Sequence, residues 1–383
     1  MSEIKVNSIK GVGASTAAIT VNNTDGTCTA NITNNLSNRN LIINGAMQVA
    51  QRGTSGTTSS SGYFACDRMR VSVSGLDEGI TVAQSTLTSS DTPYTKGFRY
   101  ATKITNGNQT SGAGATDTIN LMYRLEGLDV NGSGWDYTSA SSFVTISFWV
   151  KSSVAQTFYL RFRMTGSSVT KEFVFAISAT TSWQKITKTI PGGTGVDSVN
   201  TTAEGAFLQF NLFRGTDETG SLTIDQWNTA SSPTKVPDMT STWYTTNDAT
   251  FEITGLQMEV GSVATDFEHR SFGQELALCC RYFYGATDTI AGIFIPDSAD
   301  TDSAYGGIQF PVIMRAAPTV IFGDNAGNNA GVVTQHGVAH GVAATAGDIG
   351  KHGIGKCAKN SGNWDTGSAK PIAAKIVSAD AEL

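Results

Sequence analysis

The sequence predicts an all-β protein: a two-sheet β-sandwich, then one short helix, then a smaller C-terminal β domain. Three observations predict it. Residues 143–190 hold three strand signals in succession, FVTISFWVKS, TFYLRFRM and EFVFAI, closed by WQKITKTIPGG. In each run apolar and polar side chains alternate, so one face can be buried while the other stays wet. Charged residues make up only 15% of the chain, against roughly 25% in ordinary globular proteins. Finally, clusters of Ser, Thr, Asn and Gly, the last numbering 41, separate short apolar runs, as turns separate strands.

At 383 residues the chain is long enough for about two to three domains. Residues 1–40 are Asn/Thr-rich and poor in large apolar side chains, too little to offset their own ordering entropy. They read either as a loose terminus or as an arm that orders against a partner. From residue 41 a sandwich domain extends to 270. It opens on the strand-like NLIINGAMQVAQRG, continues through strands near Ile80–Gln84, Phe98–Ile104 and Ile119–Leu125, and closes with AFLQFNLFRG, GSLTIDQWN and ATFEITGLQMEVG. No helix is expected among them. A connecting helix over 271–284 follows: Ser271 and Gln274 form a capping box, and Phe272, Leu276, Cys279 or Cys280, and Phe283 form an apolar stripe. That stripe could pack on its own sandwich or meet copies of itself about a symmetry axis. Residues 285–383 form the smaller β domain, rich in Gly and Ala, with an apolar supply that oligomerisation would supplement.

A net charge of −6 without Lys/Arg clusters argues against a nucleic-acid groove. No run approaches the roughly 20 apolar residues of a membrane-spanning helix, and the first residues lack a signal peptide's apolar stretch; a chain made and kept soluble is expected. Five cysteines, Cys28, Cys66, Cys279, Cys280 and Cys357, show no C-x-x-C spacing, so free buried thiols in a reducing compartment are expected.

SFWVKSS followed by the WQK strand resembles the jelly-roll carbohydrate-binding modules found beside glycan-degrading enzymes. NLIINGAMQVAQRG, YRLEGLDV, FEITGLQMEVGSVATDFEHRSFGQELALCCRYFY and FPVIMRAAPTV together resemble fibre proteins of tailed bacteriophages, notably marine ones, over about 41–383. The resemblance implies a jelly roll for 41–270, a tip domain for 285–383, an EIKVNSIKG-type arm within 1–40 that attaches to other virion proteins, and a homotrimer. It implies a virion protein, made in the host cytoplasm, that attaches to host surface polysaccharide by many weak contacts acting together. A purely structural fibre or decoration protein is the alternative, a depolymerase a third. No catalytic motif transfers from the family, so no enzyme activity is expected.

Glycan binding calls for flat aromatic rings near amides and carboxylates. Trp135 and Tyr137 in NGSGWDYTS, Trp227 in IDQWNTASS, and Trp243 and Tyr244 in TSTWYTTND lie in polar turns and are the candidates. Trp149 and Trp183, inside strand runs, are expected in the core. Glycoside hydrolysis would need two carboxylates about 5–5.5 or 6.5–9.5 Å apart; Asp67, Glu126, Asp129, Asp225 and Glu259 are available. No cofactor is required. His336 and His340, repeated around a trimer axis, could hold a metal ion, and Asp225 or Asp129 a structural calcium. His269 closes the sandwich, and His352 joins His336 and His340 in the tip region.

Overall fold

The computed structural model describes residues 6–12, 19–21, 24, 28–30, 38–230, 233–285, 291–296, 302–323, 331–335, 339–364 and 371–383. Within the arm, β1 (Ser8–Ile9), β2 (Ile19–Val21) and β3 (Cys28–Ala30) pair antiparallel in a small sheet.

Thirteen strands form the jelly roll: β4 (Ser55–Thr58), β5 (Gly62–Tyr63), β6 (Arg70–Ser74), β7 (Ile80–Thr86), β8 (Tyr100–Thr105), β9 (Thr118–Glu126), β10 (Phe143–Ser152), β11 (Gln156–Thr165), β12 (Thr170–Ala179), β13 (Gln184–Pro191), β14 (Glu204–Arg214), β15 (Trp227–Thr229) and β16 (Thr250–Val260). One sheet has six strands in the order β13-β10-β16-β8-β7-β4. The other has seven, β15-β12-β11-β14-β9-β6-β5. Alternation sets the faces. Val144, Ile146, Phe148 and Val150 of β10 meet Phe158, Leu160 and Phe162 of β11 and Leu208 and Phe210 of β14 in one core, the arrangement of two aligned sheets. Gly255 bends β16: it has φ +63° beside a register shift against β10, and a Cβ there would stand 2.6 Å from the Phe98 ring. This is the use of glycine at a β-bulge.

Three expectations need correction. Short helical turns do interrupt the strands: Thr92–Lys96, α1 (Gly127–Asn131) and α2 (Thr242–Thr245). Residues 41–50 form no strand but a buried series of turns. There the Asn44 side chain donates to the carbonyls of Val49 and Asp67 and accepts from the Val49 amide, and Asn40 accepts from the amides of Ile42 and Met258. Side-chain amides that bond the backbone this way compete with ladder formation. The helix α3 spans Phe272–Cys280 with the expected capping box, but it stops before Phe283, which enters a sheet. Of the expected stripe, Phe272 is 56% exposed; the face turned to the chain's own sandwich carries Glu275, Cys279 and Cys280, with Glu275 accepting from the Asn44 amide.

The C-terminal domain comprises β17 (Phe283–Gly285), β18 (Ala291–Pro296), β19 (Ser303–Gln309), β20 (Thr319–Gly323), β21 (Val332–Gln335), β22 (Ala339–Ile349), β23 (Gly353–Lys359) and β24 (Ile372–Asp380). Pairings run β24-β18-β19-β23-β22-β21 and return to β24, closing a barrel, while β17 and β20 flank the far half of β24. Closure removes sheet edges and lets Phe294, Met314, Phe322, Trp364, Ile372 and Ile376 share a core. Cys66, Cys279, Cys280 and Cys357 are free and buried; the side chain of Cys28 lies outside the described residues. Among the described residues no helix is long and apolar enough to cross a membrane.

Candidate functional site

The turn aromatics proposed as sugar platforms are packing residues. Trp243 and Tyr244 are 0% and 1% exposed and Trp135 is 4%. Trp243 donates its indole N–H to the Thr250 carbonyl at 3.0 Å, and Tyr244 stacks on Phe213 at 4.2 Å and donates to Asp117. Trp135 stacks on Phe162, with Tyr137 at its edge. Half-buried Trp227 donates to the Pro191 carbonyl at 2.7 Å and meets Phe162 and Phe173. These rings plug the ends of the sandwich, where polar turns leave apolar side chains open to water. Trp149 is displaced the opposite way. Phe148 and Val150 take the inward positions of β10, so Trp149 faces outward and is half-buried. Trp183 lies beside it in a small outer cluster with Leu87 and Phe98, and donates to Asp91 at 2.8 Å.

The proposed acids have structural partners. Asp67 accepts from Gln51, Glu126 pairs with Arg281 at 2.9 Å, Glu259 accepts from Thr265 and Gln257, and Asp225 pairs with Lys188 at 2.5 Å. Asp129, within 3.5 Å of the Tyr282 hydroxyl, has its pKa raised by burial and by the neighbouring Glu126. His336 lies outside the described residues, as does the side chain of His340. His269 contacts the Lys96 carbonyl and packs against Phe98. Among the described residues no group of three or more His, Cys, Asp or Glu side chains is placed to hold a metal ion.

A cavity of about 1360 Å³ opens between residues 38–43, α1, the 266–270 segment and α3. Two of its charged side chains hold the fold: Glu268 accepts from the amides of Asn38 and Asn40, and Arg270 donates to the carbonyls of Ile42 and Asn40. It is the seam that ties the start of the jelly roll to α3.

The outer face of the seven-stranded sheet is different. Because Leu160, Phe162, Leu208, Phe210, Leu121 and Tyr123 point into the core, their alternates point outward in three registered rows. Tyr159, Asn211, Asn120 and Ser72 form one; Arg161, Gln209, Met122 and Arg70 the next; Glu172, Arg163, Phe207 and Arg124 the third. The guanidinium carbons of Arg161 and Arg163 stand 5.1 and 5.5 Å from the centroid of the Phe207 ring. Gln209 accepts from Arg161 at 3.1 Å and from Arg214 at 3.0 Å, and Arg161 pairs with Glu172. Residues 215–230 fold against the β12 side, where the Asp225 amide donates to the Val174 carbonyl and Arg214 pairs with Glu218. On the other side Arg124 and Tyr63 donate to the Leu383 carbonyl. Between these flanks Arg163, Arg124 and Glu204 keep 33%, 24% and 25% of their side chains exposed, whereas Arg161, Glu172, Phe207, Gln209, Met122, Asn120 and Asn211 are buried. Among the buried atoms on this face that lack a hydrogen-bond partner are Asn120 Oδ1, an acceptor, and the Nε donors of Arg161 and Arg163. The part-exposed Tyr159, Arg70, Arg124 and Arg163 on this face can meet a polyhydroxylated chain lying across its strands.

No family model matches the sequence, and no curated protein matches it. Among solved structures the chain is similar to the family 11 carbohydrate-binding module of cellulosomal cellulase Lic26A-Cel5E of Clostridium thermocellum, with 12% identity over 56% of this chain and 98% of that one and a TM-score of 0.27. It is similar to the CBM22-1 xylan-binding domain of Paenibacillus barcinonensis Xyn10C, with 14% identity over 56% and 93% and a TM-score of 0.25. It is also similar to the enzymatically active domain of bacteriophage CBA120 tailspike protein 4, with 9% identity, 58% of this chain, only 21% of that one, and a TM-score of 0.31. Identities and scores at this level carry no argument about ligand; the jelly roll stands on the strand pairings above.

Proposed function

We propose that this chain is a virion attachment protein whose jelly roll binds host surface polysaccharide without turnover. The observation that carries it is the outer face of the seven-stranded sheet, where the part-exposed Tyr159, Arg163, Arg124 and Arg70 stand on a rigid scaffold around buried Phe207, Gln209 and Asn120. In this proposal residues 1–40 dock on other virion proteins, the barrel forms the tip, and three copies assemble so that individually weak sugar contacts add up. Binding needs no cofactor. The phage assignment draws on the phrase ITGLQMEVGSVATDFEHRS and its flanks.

Glycan-array binding by the full chain tests the proposal, with Ser72→Trp as the blocking variant, because Ser72 is half-buried on that outer face and its side chain is not part of the core. Saturable binding lost in Ser72→Trp is the expected outcome. Burial of Trp135, Trp243 and Tyr244 favours a second reading, a structural fibre or decoration component with no receptor contact; a folded protein that binds no glycan on the array would support it.

A further inference from the structure

We propose that the ligand of this face is an acidic polysaccharide, one bearing carboxylate or sulfate groups along its chain. This rests on the reading of the face as the glycan-binding surface and adds the chemistry of the ligand.

Four guanidiniums, Arg70, Arg124, Arg161 and Arg163, share the face with two carboxylates, Glu172 and Glu204. The acids are already engaged: Glu172 pairs with Arg161, and Glu204 stands 3.0 Å from Arg124 Nε. Arg163 reaches Glu172 only at 3.9 Å, and its Nε is buried without a hydrogen-bond partner. Arg70 makes no hydrogen bond or ion pair among the described residues; its pKa is lowered by burial and then by the positive charge of Arg124. The carboxylate that acts on Arg70, Glu204, is already paired with Arg124, and an anionic ligand would supply a further counter-ion. Arginine suits that role because its planar fork matches carboxylate and sulfate oxygens in pairs, and stacking on Phe207 holds two of the four forks in place.

The row from Arg163 through Phe207 and Arg124 towards Arg70 crosses three strand spacings, about 14 Å, a length suited to several sugar units. The chain as a whole carries −6. A cationic face on an acidic protein draws a polyanion to one place and repels it elsewhere, so the binding is local rather than a general attraction of opposite charges.

The test is calorimetric titration of the full chain at 150 mM salt with polygalacturonate, dextran sulfate and neutral dextran of matched length. Binding to one or both acidic polymers and not to neutral dextran is expected, and the polymer that binds tells carboxylate from sulfate recognition. Arg70→Gln and Arg163→Gln should each weaken that binding at least tenfold without shifting the melting temperature. Lys103→Gln, a charge on the other sheet, should leave it unchanged. Three results would overturn the inference: no binding to either acidic polymer, equal binding to neutral dextran, or acidic binding that survives both arginine variants. Loss of binding in Ser72→Trp alongside intact arginine-variant binding would leave the face as the site and remove only its acidic ligand; binding unaffected by Ser72→Trp would remove the face itself.

Discussion

The guanidinium carbon of Arg68 lies 3.5 Å from the centroid of the Tyr282 ring. This contact joins the jelly roll to the segment leading into the barrel. The same guanidinium, 1% exposed, pairs with Glu382, two residues past the end of the barrel's last strand. Around it Arg315 donates to the carbonyls of Ala381 and Thr202, and Arg281 pairs with Glu126. The two domains are thus held by charged side chains withdrawn from water, and such pairs are costly to break from one side.

Glu382→Gln should therefore destabilise the protein by roughly 3–5 kcal/mol, because it leaves the Arg68 charge buried and uncompensated. Replacing both, Arg68→Met with Glu382→Leu, should restore most of the loss, since a well-packed apolar pair avoids the desolvation cost. Urea unfolding of the three proteins measures this. A change below about 1 kcal/mol in the single variant would mean that water reaches the pair.

Asp67, at the same junction, predicts a pH dependence. Burial pushes its carboxyl up to about 6 from 3.8, against the opposing hydrogen bonds from Gln51. The folded state then holds a proton that the unfolded state has released between these values, so stability falls as pH rises through this window. The contribution is fully present below about pH 4 and lost above about pH 6, on the order of 3 kcal/mol. Asp67→Asn should flatten the stability profile between pH 4 and 7 relative to wild type, as read from melting temperatures across that range. An unchanged slope would place the titration elsewhere.

The strands were legible wherever one face alone is buried. In 158–164, Phe158, Leu160, Phe162 and Met164 alternate with Tyr159, Arg161 and Arg163, and the inward set is the apolar one. The polar alternates of that run, which build the candidate face, were equally visible, but nothing local tells which strands lie beside β11; Phe207 and Arg124 join the row only through the sheet order. The turn around Trp135 reads as exposed because its neighbours are Gly, Ser and Asp, whereas its burial is set by Phe162 across the sandwich. Residues 41–50 look like a strand because their apolar residues are genuinely buried. What holds them, however, is the set of hydrogen bonds from Asn40 and Asn44 to distant backbone, and a linear pattern does not carry that.

Two glycines should respond to alanine with opposite signs. At Gly255, φ is +63° and a Cβ would press on the Phe98 ring at 2.6 Å, so Gly255→Ala should cost at least about 1–2 kcal/mol. Gly273 lies within α3 and a Cβ there meets nothing within 4 Å, so Gly273→Ala should gain about 0.4–1 kcal/mol by restricting the unfolded chain. Thermal melts of the two variants compare them directly. A stabilising Gly255→Ala would show that the bulge in β16 relaxes.

The tryptophans separate packing from surface. Trp243 is 0% exposed, holds a hydrogen bond to Thr250 and packs edge-on against Phe158. Trp243→Ala should cost about 3–5 kcal/mol through the cavity it leaves, and Trp243→Phe, which keeps most of the ring but loses the hydrogen bond, about 1–2 kcal/mol. Trp149, half-buried on the outer face of the six-stranded sheet, should cost less than Trp243 on the same change to alanine, because the vacated space opens to water instead of forming a void. Denaturant midpoints rank the three variants. If Trp149→Ala proves the more damaging, the outer cluster with Trp183 and Phe98 carries more of the stability than the sandwich end does, and the packing role assigned to Trp243 would have to be withdrawn.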